Sequence, residues 1–301
     1  MYRILSTDGM AKSAVQKLKG LGYEVVEEFY EPEVLAEKVK EFDALVVRSA
    51  TKVRAPIIDS AASAGRLKII IRGGVGVDNI DVDYAKEKGI AVANTPNASS
   101  ASVAELAIAH MLALSRFVSI ANVTMRNGMW EKKAYKGVEL TGKTLGIIGM
   151  GRIGKETAKR AEALGMKVIY SDLMQASGVS YEYLTMDELL KRADFLSLHI
   201  PAARGQSPIV DANFIEKMKD GAYIINTSRG ALIDEDALCD ALDSGKLSGA
   251  GLDVYKEEPS KNERLLHHPK ISMTPHIGGT TKEAQDRIGE EIVEIITKTL
   301  K

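Results

Sequence analysis

The chain has a single cysteine among 301 residues, Cys239, so an internal disulfide is excluded and a reducing compartment, the cytoplasm, is expected. Cys239 falls within a helical pattern and reads as a small core residue. No apolar run approaches roughly 18 residues, so no segment is expected to cross a bilayer. The opening Met1-Tyr2-Arg3-Ile4-Leu5-Ser6-Thr7 reads as a strand and lacks the pattern of a secretory signal. Net charge is only −1, which gives no general pull toward nucleic acid or membrane. His267 and His268 sit in a loop with no partner at metal-ligand spacing, so no metal is expected. The remainder is ordinary for a globular protein: 45% hydrophobic, 27% charged, and long enough for two domains.

What is present is concentrated in Lys143 to Asp172. Leu145–Ile148 is a short apolar run, the mark of a buried parallel strand. Gly149, Gly151 and Gly154 follow with G-x-G-x-x-G spacing. Ile153–Leu164 has helical periodicity and stops at Gly165. Val168–Tyr170 is a second strand, ending at Asp172, 23 residues beyond Gly149. Each position has a physical job in binding a dinucleotide. Gly149 permits a tight turn, Gly151 lets the backbone approach a pyrophosphate, and Gly154 lets helix pack on strand. The helix N-terminus offers free N–H groups and the positive end of its dipole. Asp172 can accept the adenosine ribose hydroxyls and would repel a 2′-phosphate, which favours NAD over NADP.

Strand candidates before this stretch are Arg3–Ser6, Glu24–Glu27, Ala44–Arg48, Leu67–Arg72 and Ile90–Asn94. Helical patterns, including Ser13–Leu21 and Pro32–Phe42, lie between them. A second block continues with Phe195–His199, Tyr223–Asn226, Gly249–Asp253 and Ile271–Thr274, six strands from Thr144 to His276. Helices are read at Met186–Lys191 and Asp234–Ser244. Such alternation means an α/β fold of two doubly wound parallel-sheet domains. Asn94-Thr95-Pro96-Asn97 breaks the pattern as one hinge. The apolar Ser100–Phe117 helix follows, buried between domains or subunits. The final helix, Lys282–Leu300, carries a stripe of Ala284, Ile288, Ile292, Ile295 and Ile296 that must bury, best against the first domain, with a second hinge near Thr280. The expected division is residues 1–95 with 280–301, and 96–279, around an interdomain cleft.

In parallel sheets, ligands gather beyond the carboxyl ends of the strands. Arg48-Ser49-Ala50-Thr51 ends one strand. Arg72-Gly73-Gly74-Val75-Gly76-Val77-Asp78 ends another, and Asn79 spoils a second dinucleotide fingerprint there. That segment reads as a nest of amides for an anion, with a plain turn as its competitor. The late strands end in Leu198-His199-Ile200-Pro201, Asn226-Thr227-Ser228-Arg229-Gly230, Gly251 to Pro259, and Thr274 to Gly279. Oxidising a hydroxy acid needs a base of near-neutral pKa, a carboxylate to orient it, and a cation for the substrate carboxylate. His276, Glu258 and Arg229 supply those types, Arg229 with a bidentate fork. His110 lies mid-helix, and His199 lines the cofactor.

Taken in order, Val47 to Thr51, Gly76 to Asp81, Asn94 to Asn97, Gly149 to Gly154, Thr227 to Gly230, Gly251 to Pro259 and Pro275 to Gly279 resemble the D-isomer-specific 2-hydroxyacid dehydrogenases, and within them a short D-3-phosphoglycerate dehydrogenase. The resemblance spans nearly the whole chain. It implies a Rossmann-type NAD domain and a flavodoxin-like substrate domain, with Arg229, Glu258 and His276 catalytic. It implies that Asp253 holds the nicotinamide amide. Val75, Arg152, Ile153, Asp172, His199, Ile200, Pro201, Thr227, Ser228, Arg229, His276, Gly278 and Gly279 then line the NAD with the three loop glycines. Arg48, Ser49, Arg72, Gly73, Gly74 and Ser99 face the substrate beside Arg229 and His276. It further implies a homodimer through the NAD domain, to which the Ser100–Phe117 helix would contribute.

The activity implied is oxidation of 3-phospho-D-glycerate to 3-phosphohydroxypyruvate, the entry to serine synthesis, with Arg48, Lys132 and Lys136 as candidate phosphate cations. The alternative on this scaffold is a glyoxylate, hydroxypyruvate or other 2-keto acid reductase. A non-enzymatic NAD-sensing protein resembling the C-terminal binding protein corepressors is disfavoured, because their partner-binding segments are missing. A formate dehydrogenase is disfavoured because Glu258 is kept. Many phosphoglycerate dehydrogenases continue into a serine-binding regulatory domain; a chain stopping at Lys301 is expected to lack feedback by that route.

Overall fold

A computed structural model describes residues 1–203 and 205–301. They group into two compact units, Met1–Ser99 with Gly279–Lys301, and Ser100–Gly278.

The first unit holds five parallel strands, β1 (Arg3–Ser6), β2 (Glu24–Glu27), β3 (Ala44–Val47), β4 (Ile69–Arg72) and β5 (Ala91–Asn94), in the order β2-β1-β3-β4-β5. This is the flavodoxin-like order of a doubly wound sheet. Helices α1 (Lys12–Gly20), α2 (Pro32–Lys38), α3 (Ala55–Ala64) and α4 (Val82–Glu87) connect the strands. Both α3 and α4 fill gaps between strands where helical patterns are expected. Helix α3 begins with a proline in its first turn and ends on Gly65 at φ 68°, the left-handed position that stops a helix. The Lys282–Thr299 helix completes this unit. Its Ile288, Ile292, Val293 and Ile296 share one buried cluster with Ile4, Val15 and Leu18. A Cβ on Gly289 would stand 2.8 Å from the Ala14 Cβ, so this helix and α1 meet backbone to backbone. Register pairs Val47 with Arg72 and Arg72 with Asn94, which brings Arg48, Gly73 and Thr95 out at one edge.

The second unit contains α5 (Ser100–Ser115), α6 (Val118–Arg126), β6 (Thr144–Ile148), α7 (Arg152–Ala163), β7 (Lys167–Ser171), β8 (Glu182–Tyr183), α8 (Met186–Arg192), β9 (Phe195–Leu198), α9 (Ala212–Glu216), β10 (Ala222–Asn226), α10 (Glu235–Ser244), β11 (Leu247–Leu252), α11 (Glu263–Leu266) and β12 (Ile271–Met273). Its sheet runs β12-β11-β10-β9-β6-β7-β8, all parallel. The six strands expected from sequence are therefore seven. The addition, β8, is two residues long and pairs with Ile169 and Tyr170. Its Tyr183 ring lies 5.4 Å from that of Tyr170, so a tertiary contact, not a local pattern, sets it.

Strand order reverses between β6 and β9, the switch point where such sheets bind ligands. Register aligns Ile148 with Ser171 and Leu198, Leu198 with Asn226, Asn226 with Leu252, and Leu252 with Met273. Gly149, Asp172, His199, Thr227, Asp253 and Thr274 consequently leave the sheet along one edge. Helix α5 is packed within this unit, against α7 and β10–β12, with Val103, Ala104, Ala107 and Met111 buried. That burial accounts for its apolar circumference. No single helix among the described residues is long and apolar enough to cross a membrane.

Candidate active site

The glycine loop after β6 is built as its spacing demands. Gly149 has φ 92°, and a Cβ there would sit 2.5 Å from the His199 carbonyl oxygen. A Cβ on Gly154 would fall 2.2 Å from the Gly149 carbonyl oxygen. Gly151 differs: it caps α7 and a Cβ would meet nothing within 4 Å, so the space over the helix N-terminus is open. Arg152 is exposed and Ile153 half-buried at the start of α7. Asp172 accepts the Met150 and Leu173 N–H groups, each at 2.7 Å, and thereby ties the glycine loop to the end of β7.

Next to this loop, His199 presents its backbone to Gly149 while its Nε2 meets Ser197 Oγ at 2.9 Å. Its Nδ1 is out of solvent contact and has no hydrogen-bond partner among the described residues, although the residue as a whole is partly exposed. Burial pushes this imidazole down to about 4, so it is neutral at physiological pH. Ile200 is half-buried and Pro201 exposed. Thr227 is buried and its Oγ1 also has no partner among the described residues. Open space at Gly151, two unsatisfied polar atoms and the α7 dipole suit a bound dinucleotide.

The Arg229 loop is shaped by Asn226, which is 1% exposed. Its Oδ1 accepts from the Ser228 N–H and hydroxyl at 3.1 and 3.0 Å, and its Nδ2 donates to the Arg229 carbonyl at 2.8 Å. Arg229 is half-buried, its Nη1 donating to the Ser228 carbonyl at 2.6 Å. Gly230 brings two loops together: a Cβ would stand 1.9 Å from the Tyr255 carbonyl carbon. Only glycine allows that approach. Tyr255 belongs to the segment that carries Glu258, so Arg229 and Glu258 become neighbours.

His276 Nδ1 lies 2.7 Å from Glu258 Oε2. Glu258 Oε1 accepts the Tyr255 N–H at 3.2 Å. Burial would raise the Glu258 carboxyl, but the His276 hydrogen bond and charge, the Tyr255 N–H and the nearby Arg229 guanidinium together hold it below the usual carboxylate value. The Tyr255 hydroxyl donates to the Thr274 carbonyl at 3.0 Å and is pushed up to about 12 by burial and the Asp253 charge. With Nδ1 committed to Glu258, the chemistry of His276 is left to Nε2.

The sequence expectation gives Asp253 a grip on the nicotinamide amide, and the structure shows what else it holds. The residue is 0% exposed, and its carboxylate accepts from Thr274 Oγ1 at 2.6 Å and from the Ile277 and Gly278 N–H groups, each at 2.8 Å. It grips the loop that carries His276. His276 has φ 53°, a left-handed conformation that costs a non-glycine residue about 1–3 kcal/mol and persists only where its surroundings impose it. Here they do, because the His276 N–H also donates to the Asp253 carbonyl at 2.8 Å. Gly278 fits against the carboxylate, where a Cβ would stand 3.0 Å from Oδ2.

The remaining predicted residues lie in the first unit, apart from two lysines. Asp8 accepts from the Arg48 N–H at 2.6 Å and from Thr51 N–H and Oγ1 at 3.1 and 2.6 Å. Asn79 Nδ2 donates to the Arg48 and Thr51 carbonyls, each at 2.7 Å. These two braces, absent from the sequence expectations, fix the loop of Arg48 and exposed Ser49. Burial lowers the Arg48 guanidinium from its ordinary value against the pull of Asp8. Arg72 folds back over Gly74, with Nη1 1.5 Å from the place a Cβ would take. The Gly73 and Gly74 N–H groups donate to the Val47 and Arg72 carbonyls at 2.8 and 2.9 Å, so the nest begins no earlier than Val75. Ser99 is 4% exposed and in contact range of Gly279. Lys132 and Lys136, in the second unit, are exposed.

A switch-point glycine loop and an acid–imidazole pair beside an arginine define a nucleotide-dependent oxidoreductase of the α/β class. Residues 108–278 match the family model for the NAD-binding domain of D-isomer-specific 2-hydroxyacid dehydrogenases. The chain is 50% identical to a hydroxypyruvate reductase of Thermotoga maritima, across 99% of this chain and 98% of that protein. It is 45% identical to the D-3-phosphoglycerate dehydrogenase of Methanocaldococcus jannaschii, across 100% of this chain but 58% of that protein. The TT0316 protein of Thermus thermophilus superposes with a TM-score of 0.91 at 36% identity, over 99% of this chain and 96% of its own. The chain belongs to the D-isomer-specific 2-hydroxyacid dehydrogenases, NAD-dependent enzymes.

Proposed function

We propose that the protein interconverts a three-carbon 2-keto acid and its D-2-hydroxy acid, with hydroxypyruvate as the keto acid. The observation that carries the reaction class is the 2.7 Å contact of His276 with Glu258, with Arg229 close enough to act on that carboxyl. Bound NADH supplies the hydride that the C2 carbonyl carbon accepts. His276 gives the proton from Nε2 to the carbonyl oxygen and takes it back in the reverse direction. Glu258 keeps the ring oriented and favours its cationic form. Arg229 grips the substrate carboxylate. Within the first unit, Arg48, Ser49, Ser99 and the amides from Val75 onward are the candidates for holding a substrate anion; within the second, Thr227, His199 and Asp172 are those for the NAD. Hydroxypyruvate is supported by the Thermotoga maritima relative, which this chain matches along nearly its whole length.

A second reading keeps the machinery and adds a phosphate: 3-phospho-D-glycerate and 3-phosphohydroxypyruvate, the entry to serine synthesis. The Methanocaldococcus jannaschii relative favours it, and Arg48, Lys132 and Lys136 are the cations it would use. NADH oxidation with hydroxypyruvate, 3-phosphohydroxypyruvate, glyoxylate and pyruvate, compared by kcat/KM, decides between them. A His276→Ala variant that retains turnover within about tenfold of wild type overturns the reaction class as well. We also infer a homodimer through the NAD-binding unit. On α5, α6 and the segment after them, Leu112, Val118, Val123, Met125, Met129 and Trp130 are 40–78% exposed, an apolar surface unusual on a monomer. Light scattering that returns a monomer mass would remove this inference.

A further inference from the structure

His110 has no part in the chemistry above, yet it is 2% exposed at the centre of α5. The fold makes room for it: a Cβ on Gly251 would stand 2.7 Å from the His110 Cβ. Its Nδ1 lies 2.9 Å from Ser272 Oγ and its Nε2 3.1 Å from Thr274 Oγ1. Thr274 has one hydroxyl proton, and it goes to Asp253 Oδ1 at 2.6 Å. Toward His110, then, Thr274 can only accept, so Nε2 carries the ring proton and Nδ1 accepts from Ser272. Burial holds this imidazole below its ordinary value against the pull of Asp253, which keeps it in that neutral tautomer. The hydrogen bonds therefore run one way, from Ser272 through His110 and Thr274 to a buried carboxylate. That carboxylate grips the Ile277 and Gly278 N–H groups, the two residues that follow left-handed His276.

We propose that His110 is a positioning residue for the reaction, holding Thr274 and Asp253 in the arrangement that fixes the His276 loop. The inference rests on the proposed role of His276, but the state of the loop can be read without it. The test uses the full chain with NADH and four variants: His110→Leu, His110→Gln, Thr274→Val, and the double variant that joins His110→Leu to Thr274→Val. Leucine fills the space without a donor. Glutamine can both donate to Thr274 and accept from Ser272. In His110→Leu we expect kcat for hydroxypyruvate to fall about fivefold or more, as loop misplacement does, with KM and NADH Kd within about twofold. Amide exchange at Ile277 and Gly278 should speed up about tenfold without any substrate present. His110→Gln should restore both quantities. In the Thr274→Val background, the leucine should add nothing, because the chain of hydrogen bonds is already cut.

Unchanged kcat and exchange in His110→Leu would overturn the proposal, as would equal losses with and without the Thr274 hydroxyl. If His110→Leu does not fold, Thr274→Val carries the decision: it cuts the same chain of hydrogen bonds, so unchanged kcat and unchanged exchange at Ile277 and Gly278 in that variant would overturn the proposal. Failure of the catalytic reading is separate. It would appear as turnover retained in His276→Ala while the exchange at Ile277 and Gly278 still answered to His110.

Discussion

Glu258→Gln exchanges one oxygen for an NH₂ group and should disable the enzyme for a reason visible in the hydrogen bonds. The carboxylate has two fixed partners, the Tyr255 N–H at Oε1 and the His276 Nδ1 at Oε2. A backbone N–H can only donate, so the amide oxygen of glutamine must turn to Tyr255. Its NH₂ group then faces Nδ1, which has to accept, and the ring proton moves to Nε2. That tautomer has no lone pair for the hydroxyl proton. The opposite amide orientation restores the tautomer but points NH₂ at the Tyr255 N–H, costing about 1–3 kcal/mol for an unsatisfied group. The competent orientation is then populated at roughly 1–15%. Losing the negative charge that stabilises the imidazolium removes about another factor of ten. Together these place kcat on the order of 10²–10³-fold below wild type, within the span known for positioned acid–base groups. The assay is steady-state NAD reduction with D-glycerate, the direction in which Nε2 must accept. NADH binding by fluorescence, run alongside, should be unaffected. A kcat within about fivefold of wild type would show that Glu258 does not set the His276 tautomer.

Gly154→Ala should weaken NADH binding by about 5- to 100-fold, the equivalent of 1–3 kcal/mol of overpacking, because the new methyl collides with the Gly149 carbonyl; an unchanged Kd would mean that loop shape does not control affinity. Asp172→Ala should narrow the preference for NADH over NADPH by roughly tenfold or more in kcat/KM, by removing like-charge repulsion. It should also weaken NADH itself, since the Met150 N–H loses its acceptor; an unaltered ratio would assign cofactor choice elsewhere. His199, neutral in the fold down to about 4, binds its proton in the unfolded chain first. Its stabilisation is thus complete above the ordinary histidine value and is lost as pH falls from there toward 4, by about 2 kcal/mol at pH 5. His199→Gln should flatten the fall of the urea midpoint between pH 7 and 5, and an equally steep fall would refute the assignment.

Local chemistry explains which parts of this molecule are legible in its sequence. Gly149 and Gly154 each answer a collision with one carbonyl oxygen, so a three-glycine spacing carries the geometry of the whole loop. Strand ends are legible because buried parallel strands are continuous apolar runs, and Ile69–Ile71 or Leu145–Ile148 can be little else. The pairing of Glu258 with His276 is legible in residue types, since acid–base chemistry narrows the choice. Asp253 is not. Its bracing role rests on buried bonds to Thr274, Ile277 and Gly278 that join distant parts of the chain, for example 21 residues apart between Asp253 and Thr274. The bracing roles of Asn226, Asp8 and Asn79 escape notice for a related reason: an amide or carboxylate bracing a loop looks like any polar residue in a turn. His110 is the extreme case, with partners 162 and 164 positions away. The six-strand count fails at β8, where two residues carry no periodicity to read.

The Lys282–Thr299 helix has a consequence for synthesis. It covers Ile4, Val15 and Leu18, which leave the ribosome ahead of the whole second unit. The N-terminal sheet must therefore wait, with one flank bare, while the entire nucleotide-binding unit is made and folds. The second unit, whose core is contiguous in sequence, has no such delay. Nascent chains of this protein should pass through a stage in which the later-made half is native and the earlier-made half is still sticky, the reverse of the usual order of maturation.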